Sequence, residues 1–289
     1  MLRTMFPQVD TKDPDAVLRE VKGIYASMFE KGDPHFVDRV FGWALDSFRG
    51  RYSDFQAIDA RYHDLEHTMQ GTLCFMRLLQ GYQGAGVQPV LSDRMTQLGL
   101  IAILLHDTGY LKTRDDLQGT GAKYTLIHVN RSCEFADQLL TEKAFSRKEI
   151  KSVQNMIRCT GVNVDLSKIP FETEEERVLG FALGTADLLG QMAADDYIDK
   201  LGILFTEFEE SAKYNAGKFT AAGTFSSADE LRSKTPIFWE KYVLPKIRGD
   251  FQGLYRYLGR PMNEDDNPYL DRIRLNLKRL QRELQAIAA

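Results

Sequence analysis

Residues 62–80 read YHDLEHTMQGTLCFMRLLQ. Within them Leu65, Met69, Leu73, Met76 and Leu79 recur at steps of three and four, which puts them on one stripe of an α-helix. Residues 92–105 and 125–141 carry the same period, and no segment sustains the two-residue alternation of a half-buried strand. The fold class expected is therefore all-α.

Working outward, the helix starts are written in capping residues. Asp13-Pro14 and Asp33-Pro34 each place a carboxylate before a proline whose missing N–H costs nothing at the first helical position. Ser146 with Glu149, Thr173 with Glu176, and Ser227 with Glu230 have the Ser/Thr-x-x-Glu spacing of reciprocal capping boxes. Loops are expected at 81–89, 112–123 and 217–226, with a polar joint at 259–268. Pro236 and Pro245 should break or kink the helix after Ser227. Leu270, Ile273, Leu277, Leu280, Leu284 and Ile287 form a terminal seam, read as a helix docked on its own chain or as the seam of a homodimer. These elements describe a single domain over 1–289, with a core at about 55–215, N-terminal helices at 14–51 and a helical extension at 227–289 packed on it.

Composition narrows the function classes. With 37 Lys and Arg against 41 Asp and Glu the net charge is −4, so there is no long-range pull toward nucleic acid or an anionic membrane. Cys74, Cys133 and Cys159 are odd in number and widely spaced inside apolar helical patterns, which reads as buried free thiols. The N-terminal MLRTMFPQVDTKDPD lacks the apolar stretch of a signal peptide, and the longest apolar run, 98–105, is too short to span a bilayer. The expected location is the cytoplasm.

Chemistry concentrates in a few side chains. His63 and His67 lie four apart, so a helix that included both would project them from one face. His106 and Asp107 close the apolar run LGLIAILLHD, and Asp187 stands in the apolar stretch LGTADLL, where a carboxylate needs a cation or a strong hydrogen-bond donor. Two imidazoles and two carboxylates suit a divalent ion of the Mn, Fe, Co, Ni, Zn or Mg kind. Of the basic residues near these motifs, Lys112, Lys123 and Arg131 are the candidates for binding phosphate, with Arg114 and Arg158 behind them. His35, Trp43, Trp239, Phe251, Tyr255 and Tyr257 read as structural.

In order and broad spacing, His67, the His106-Asp107 doublet and Asp187 resemble the His, His-Asp, Asp signature of the HD-domain metal-dependent phosphohydrolases. YHDLEH is also similar to the Tyr-His-Asn-x-x-His element of cyclic-nucleotide phosphodiesterase domains. The resemblance spans roughly 62–192 and implies an HD-like multi-helix bundle whose metal is held by His67, His106, Asp107 and Asp187. It makes His63 the general acid and Asp107 a catalytic group able to bridge one or two ions. His128, in HVNRSCEFA, is implied to contact substrate or a second metal. The sequence departs from the pattern at Tyr110, where many HD phosphohydrolases have lysine, at Asp64 in place of Asn, and in lacking an adjacent histidine pair after Glu134. The expected function is hydrolysis of a phosphate ester, a nucleotide phosphodiester or phosphomonoester, by metal-activated water. The alternatives are an HD-type di-iron oxygenase and a regulatory module that binds a nucleotide without turnover.

Overall fold

Helix α3, Leu65–Gly84, is buried on nearly every side, and the rest of the molecule is arranged around it. The computed structural model describes residues 6–215, 225–259 and 266–288, and among these every regular element is helical. Before α3 come α1, Pro14–Met28, and α2, Phe36–Phe48. After it come α4, Asp93–Leu105, α5, His128–Glu142, α6, Arg147–Arg158, α7, Glu174–Met192, and α8, Tyr197–Tyr214. The chain closes with α9, Ala228–Phe238, and α10, Pro268–Ala288. One hydrophobic cluster runs through all of these helices but α9, from Val17 on α1 to Leu280 on α10.

The closest pairing is α3 against α7. Small residues permit it: a Cβ at Gly190 of α7 would lie only 2.8 Å from the Gln70 carbonyl oxygen of α3. That approach brings the start of α3 and the middle of α7 to the same point. Helix α4 lies beside both, and the antiparallel α5–α6 pair packs against it.

Several boundaries differ from the sequence reading. Asp33 accepts the His35 N–H at 2.9 Å in a turn, so α2 begins at Phe36 rather than at Pro34. Asp64 caps α3 by accepting the His67 N–H at 2.9 Å, so the helix begins at Leu65 and leaves His63 outside it. The stretch before α5 winds as a 3-10 turn, Gly121–Tyr124, and α5 starts only at His128. Neither Pro236 nor Pro245 breaks the chain's course. Residues 228–250 stay helical, passing into π-helical turns at Trp239–Val243 and Lys246–Asp250, where wider winding absorbs the missing donors. The terminal seam is spent on its own chain: Leu270, Ile273, Leu277 and Leu280 are buried and α10 packs on α7, α8 and α9. Most of the 217–226 and 259–268 joints, and the side chain of Ile287, lie outside the described residues. Cys74, Cys133 and Cys159 are free and buried. No described helix is long and apolar enough to cross a membrane.

Candidate metal centre

The end of α4 builds half of the centre. His106 caps the helix and donates its Nδ1–H to the Ile103 carbonyl at 2.7 Å, since a carbonyl can only accept. Its Nε2 is therefore the nitrogen with a lone pair to offer. The chain then tightens into a 3-10 turn, Thr108–Tyr110, with Asp107 at its head. Ser132 of α5 fixes this corner by donating to the His106 carbonyl at 2.5 Å and accepting the Gly109 N–H at 2.9 Å. Gly109 is obligatory, because a Cβ there would fall 2.0 Å from the His128 carbonyl oxygen. The same close approach delivers His128 to the doublet.

The other half comes from α3 and α7. His67 Nε2 lies 3.2 Å from Asp107 Oδ2 and 3.2 Å from Asp187 Oδ1. His106 Nε2 lies 3.4 Å from Asp107 Oδ2 and 3.5 Å from Asp187 Oδ1. The four predicted ligands thus converge, and the donor atoms of His67, His106 and Asp107 all fall within 4.8 Å of one another, a group that can hold a metal ion. The side chains of His67, His106 and Asp107 are only 4%, 1% and 2% exposed, against 13% for Asp187. His106 Nε2 and Asp107 Oδ2 are buried at this point without a hydrogen-bond partner, while the equally unpaired His67 Nδ1 lies on the ring edge away from the Nε2 that faces the carboxylates. Leaving the first two unpaired costs about 1–3 kcal/mol each, so their meeting at one point beside His67 Nε2 fits a cation taken up there.

The electrostatics agree with that fit. Burial alone would lower the His67 pKa, but the Asp107 and Asp187 carboxylates 3.2 Å from its Nε2 outweigh this and push the group up to about 10. His106 is raised as well, its burial overcome by attraction to Asp107. Burial opposes ionisation of Asp107 and Asp187, yet the two imidazoles hold both carboxyls well below the usual range. Two carboxylates stay charged here whatever cation balances them.

His128 approaches from the other side, with Nε2 at 3.8 Å from Asp107 Oδ1 and Nδ1 donating to the Thr125 carbonyl at 2.7 Å. The two oxygens of Asp107 thus face different imidazoles. Burial lowers the His128 pKa, helped by its proximity to His63, so the ring is neutral near pH 7 with a free Nε2 lone pair.

His63 reaches the centre by a route the sequence did not suggest. It sits before the cap of α3, and its Nδ1 lies 2.6 Å from Glu207 Oε2 on α8. Glu207 is buried, and its Oε1 accepts the Arg61 and Tyr62 N–H groups at 2.7 Å each. Burial raises its pKa, but the attraction and hydrogen bond of His63 more than reverse this, so Glu207 is a carboxylate and His63 Nδ1 is the donor. The His63 ring centroid is 5.6 Å from that of His67 and 6.2 Å from that of His128. Sequence reasoning missed Glu207. Its signal was a carboxylate on the stripe Leu201, Leu204, Glu207, Ser211, at steps of three and four, where only a strong partner makes burial tolerable.

The basic residues have other work. Lys112 pairs with Asp59 at 2.8 Å and donates to the Gly119 carbonyl at 2.7 Å. Lys123 is engaged by Asp116 and the Gln118 carbonyl. Arg131 donates to the Gly109 and Leu111 carbonyls at 2.7 Å each and lies over the Tyr124 ring. All three brace the 109–123 stretch through these partners. Arg114 is an exposed partner of Asp54, and Arg158 donates to Asn155 Oδ1 at 3.3 Å.

No curated protein matches this chain. The Npun_R2479-like family model matches residues 14–258, a span that takes in α1 to α9 and every residue of the centre. Since that is well over half of its length, the chain belongs to the Npun_R2479-like family.

Proposed function

We propose that the centre binds a divalent cation through His67, His106, Asp107 and Asp187, and that the protein hydrolyses a phosphate ester there with His63 as general acid. The observation that carries the reading is the meeting of two arrangements: buried donors left unpaired around one point, and a carboxylate-anchored imidazole beside them. When bound, a divalent cation supplies Lewis acidity toward phosphoryl oxygen and lowers the pKa of water. The protein's own groups do the rest. Glu207 holds the His63 Nδ1–H, which leaves Nε2 as the edge from which a proton passes to the departing oxygen. His128, neutral and fixed through Nδ1, has an Nε2 lone pair that would accept from water or a substrate hydroxyl, or would help to hold a second cation. The ligands closest to the core are shielded from water, while the 15%, 17% and 13% exposures of His63, His128 and Asp187 mark the side from which substrate enters.

Elemental analysis of protein purified without chelator or metal-affinity tag, beside Asp107→Ala, tests the first half. One or two equivalents of Mn, Fe, Co, Ni or Zn, lost in the variant, are expected. Loaded protein is then assayed on phosphodiesters and phosphomonoesters, nucleotides included. Turnover that falls at least about 100-fold in His63→Gln with metal retained supports the acid assignment. Failure to take up metal sinks the centre, and a loaded protein inert to every ester leaves the regulatory reading in its place.

A further inference from the structure

Tyr110 is fully buried at the end of the 3-10 turn that begins beside Asp107, and its ring meets both outer histidines. Its centroid lies 4.5 Å from that of His63 with the planes 10° apart, and 4.8 Å from that of His128 with the planes 23° apart. Each imidazole is thus held twice. One edge is tied through Nδ1, to Glu207 for His63 and to the Thr125 carbonyl for His128, and the ring plane is set by the phenol. Neither ring can turn about its Cβ–Cγ bond without giving up a hydrogen bond or a stacked face. The Tyr110 hydroxyl makes no hydrogen bond of normal geometry. What the side chain contributes is its flat aromatic face.

We propose that Tyr110 is a positioning residue that sets His63 and His128 as a matched pair, with the His63 Nε2 edge held as proton donor toward the phosphoryl group and the His128 Nε2 lone pair as acceptor toward water beside it. This rests on the phosphohydrolase reading for its catalytic consequence, though not for the orientation itself. The position explains why a large aromatic, and not a cation, follows Gly109. A charged side chain there would lie buried against two imidazoles, one of them needed as a proton donor, whereas a neutral ring orders both without competing for protons. It also gives the turn after Asp107 a purpose beyond delivering a ligand, because the same three residues place the carboxylate and the platform for its neighbours.

The test compares Tyr110→Phe with Tyr110→Leu in the full-length protein. Ring-proton signals of His63 and His128, assigned from His63→Gln and His128→Gln, should be displaced by the current of the Tyr110 ring in the parent. Only five histidines are present, so the spectrum is tractable. Tyr110→Phe should keep both displacements and stay within about twofold of the parent kcat. Tyr110→Leu should lose both and lower kcat by about tenfold or more, with bound metal and KM held within about twofold. A phenylalanine variant as damaged as the leucine one overturns the proposal, as do unshifted His63 and His128 signals in the parent or an unchanged spectrum in Tyr110→Leu. If the parent hydrolyses no ester, the proposed function has failed, and the ring-proton signals still decide whether Tyr110 orients the pair.

Discussion

Glu207 holds one edge of His63 from a helix far along the chain, and the acid's behaviour follows from that bond. Glu207→Gln keeps the shape but replaces an ionised acceptor with a neutral amide. Turnover should drop by about 10- to 100-fold while metal content is unchanged, which kinetics and elemental analysis would separate from loss of the centre. A second prediction concerns protons at the ligands. His67 rises from an ordinary 6.5 to about 10 in the folded, metal-free protein, so its contribution to stability is complete below about 6.5 and lost as pH climbs toward 10. Asp107 and Asp187 are depressed, so theirs is complete above their ordinary 3.8 and lost as pH falls below it. Metal-free protein should therefore draw most from this cluster between about pH 4 and 6.5. A cation must displace the imidazole protons, so affinity should rise with pH from about 6.5 to 10, and calorimetry in buffers of different ionisation enthalpy should register proton release. Affinity independent of pH over that window would contradict the assignment of His67 as a ligand.

Among the helices, the capping residues were the most legible part of the sequence. The Ser146 box is complete, with Ser146 Oγ accepting the Glu149 N–H and Glu149 accepting the Ser146 N–H at 2.8 Å. Thr173 and Ser227 cap as expected, but Glu176 and Glu230 reach back to the N–H groups of Glu172 and Ser226. Ser146→Ala should cost about 1 kcal/mol in urea unfolding, with the slope unchanged. Ile273 on α10, fully buried, should cost about 2–5 kcal/mol on truncation to Ala, whereas an α10 held mainly by a second copy would make that loss depend on protein concentration. What the sequence could not disclose at this scale was where a helix yields. Pro236 looked like a break because its neighbours were read one turn at a time, whereas π-winding spreads the fault over 239–250. Whether the helix took in His63 stayed open in the sequence, because four-residue spacing is the same whether or not Asp64 stops the helix first.

Over the molecule as a whole, helices α3, α4 and α7 bring the four candidate ligands together from positions 67, 106, 107 and 187, and the sequence drew notice to each because ionisable groups in apolar stretches require partners. The internal partners of Lys112, Lys123 and Arg131 were not legible for the converse reason: proximity along the chain to a motif carries no information about which carboxylates and carbonyls fold back to meet a cation. A centre shared by three core helices couples binding to folding, so added divalent cation should raise Tm and a chelator should lower it, by an amount that grows with free metal concentration and disappears in Asp107→Ala. The cap at Asp64 also has a consequence for how such a site can diversify. Because His67 rides on α3 while His63 is moored to α8, the gap between the two imidazoles is a tertiary distance and not a helical repeat. If the proposed function holds, selection can adjust the reach of His63 through α8 while the His67, His106, Asp107 and Asp187 cluster is inherited intact, two dials that a continuous helix would have locked together.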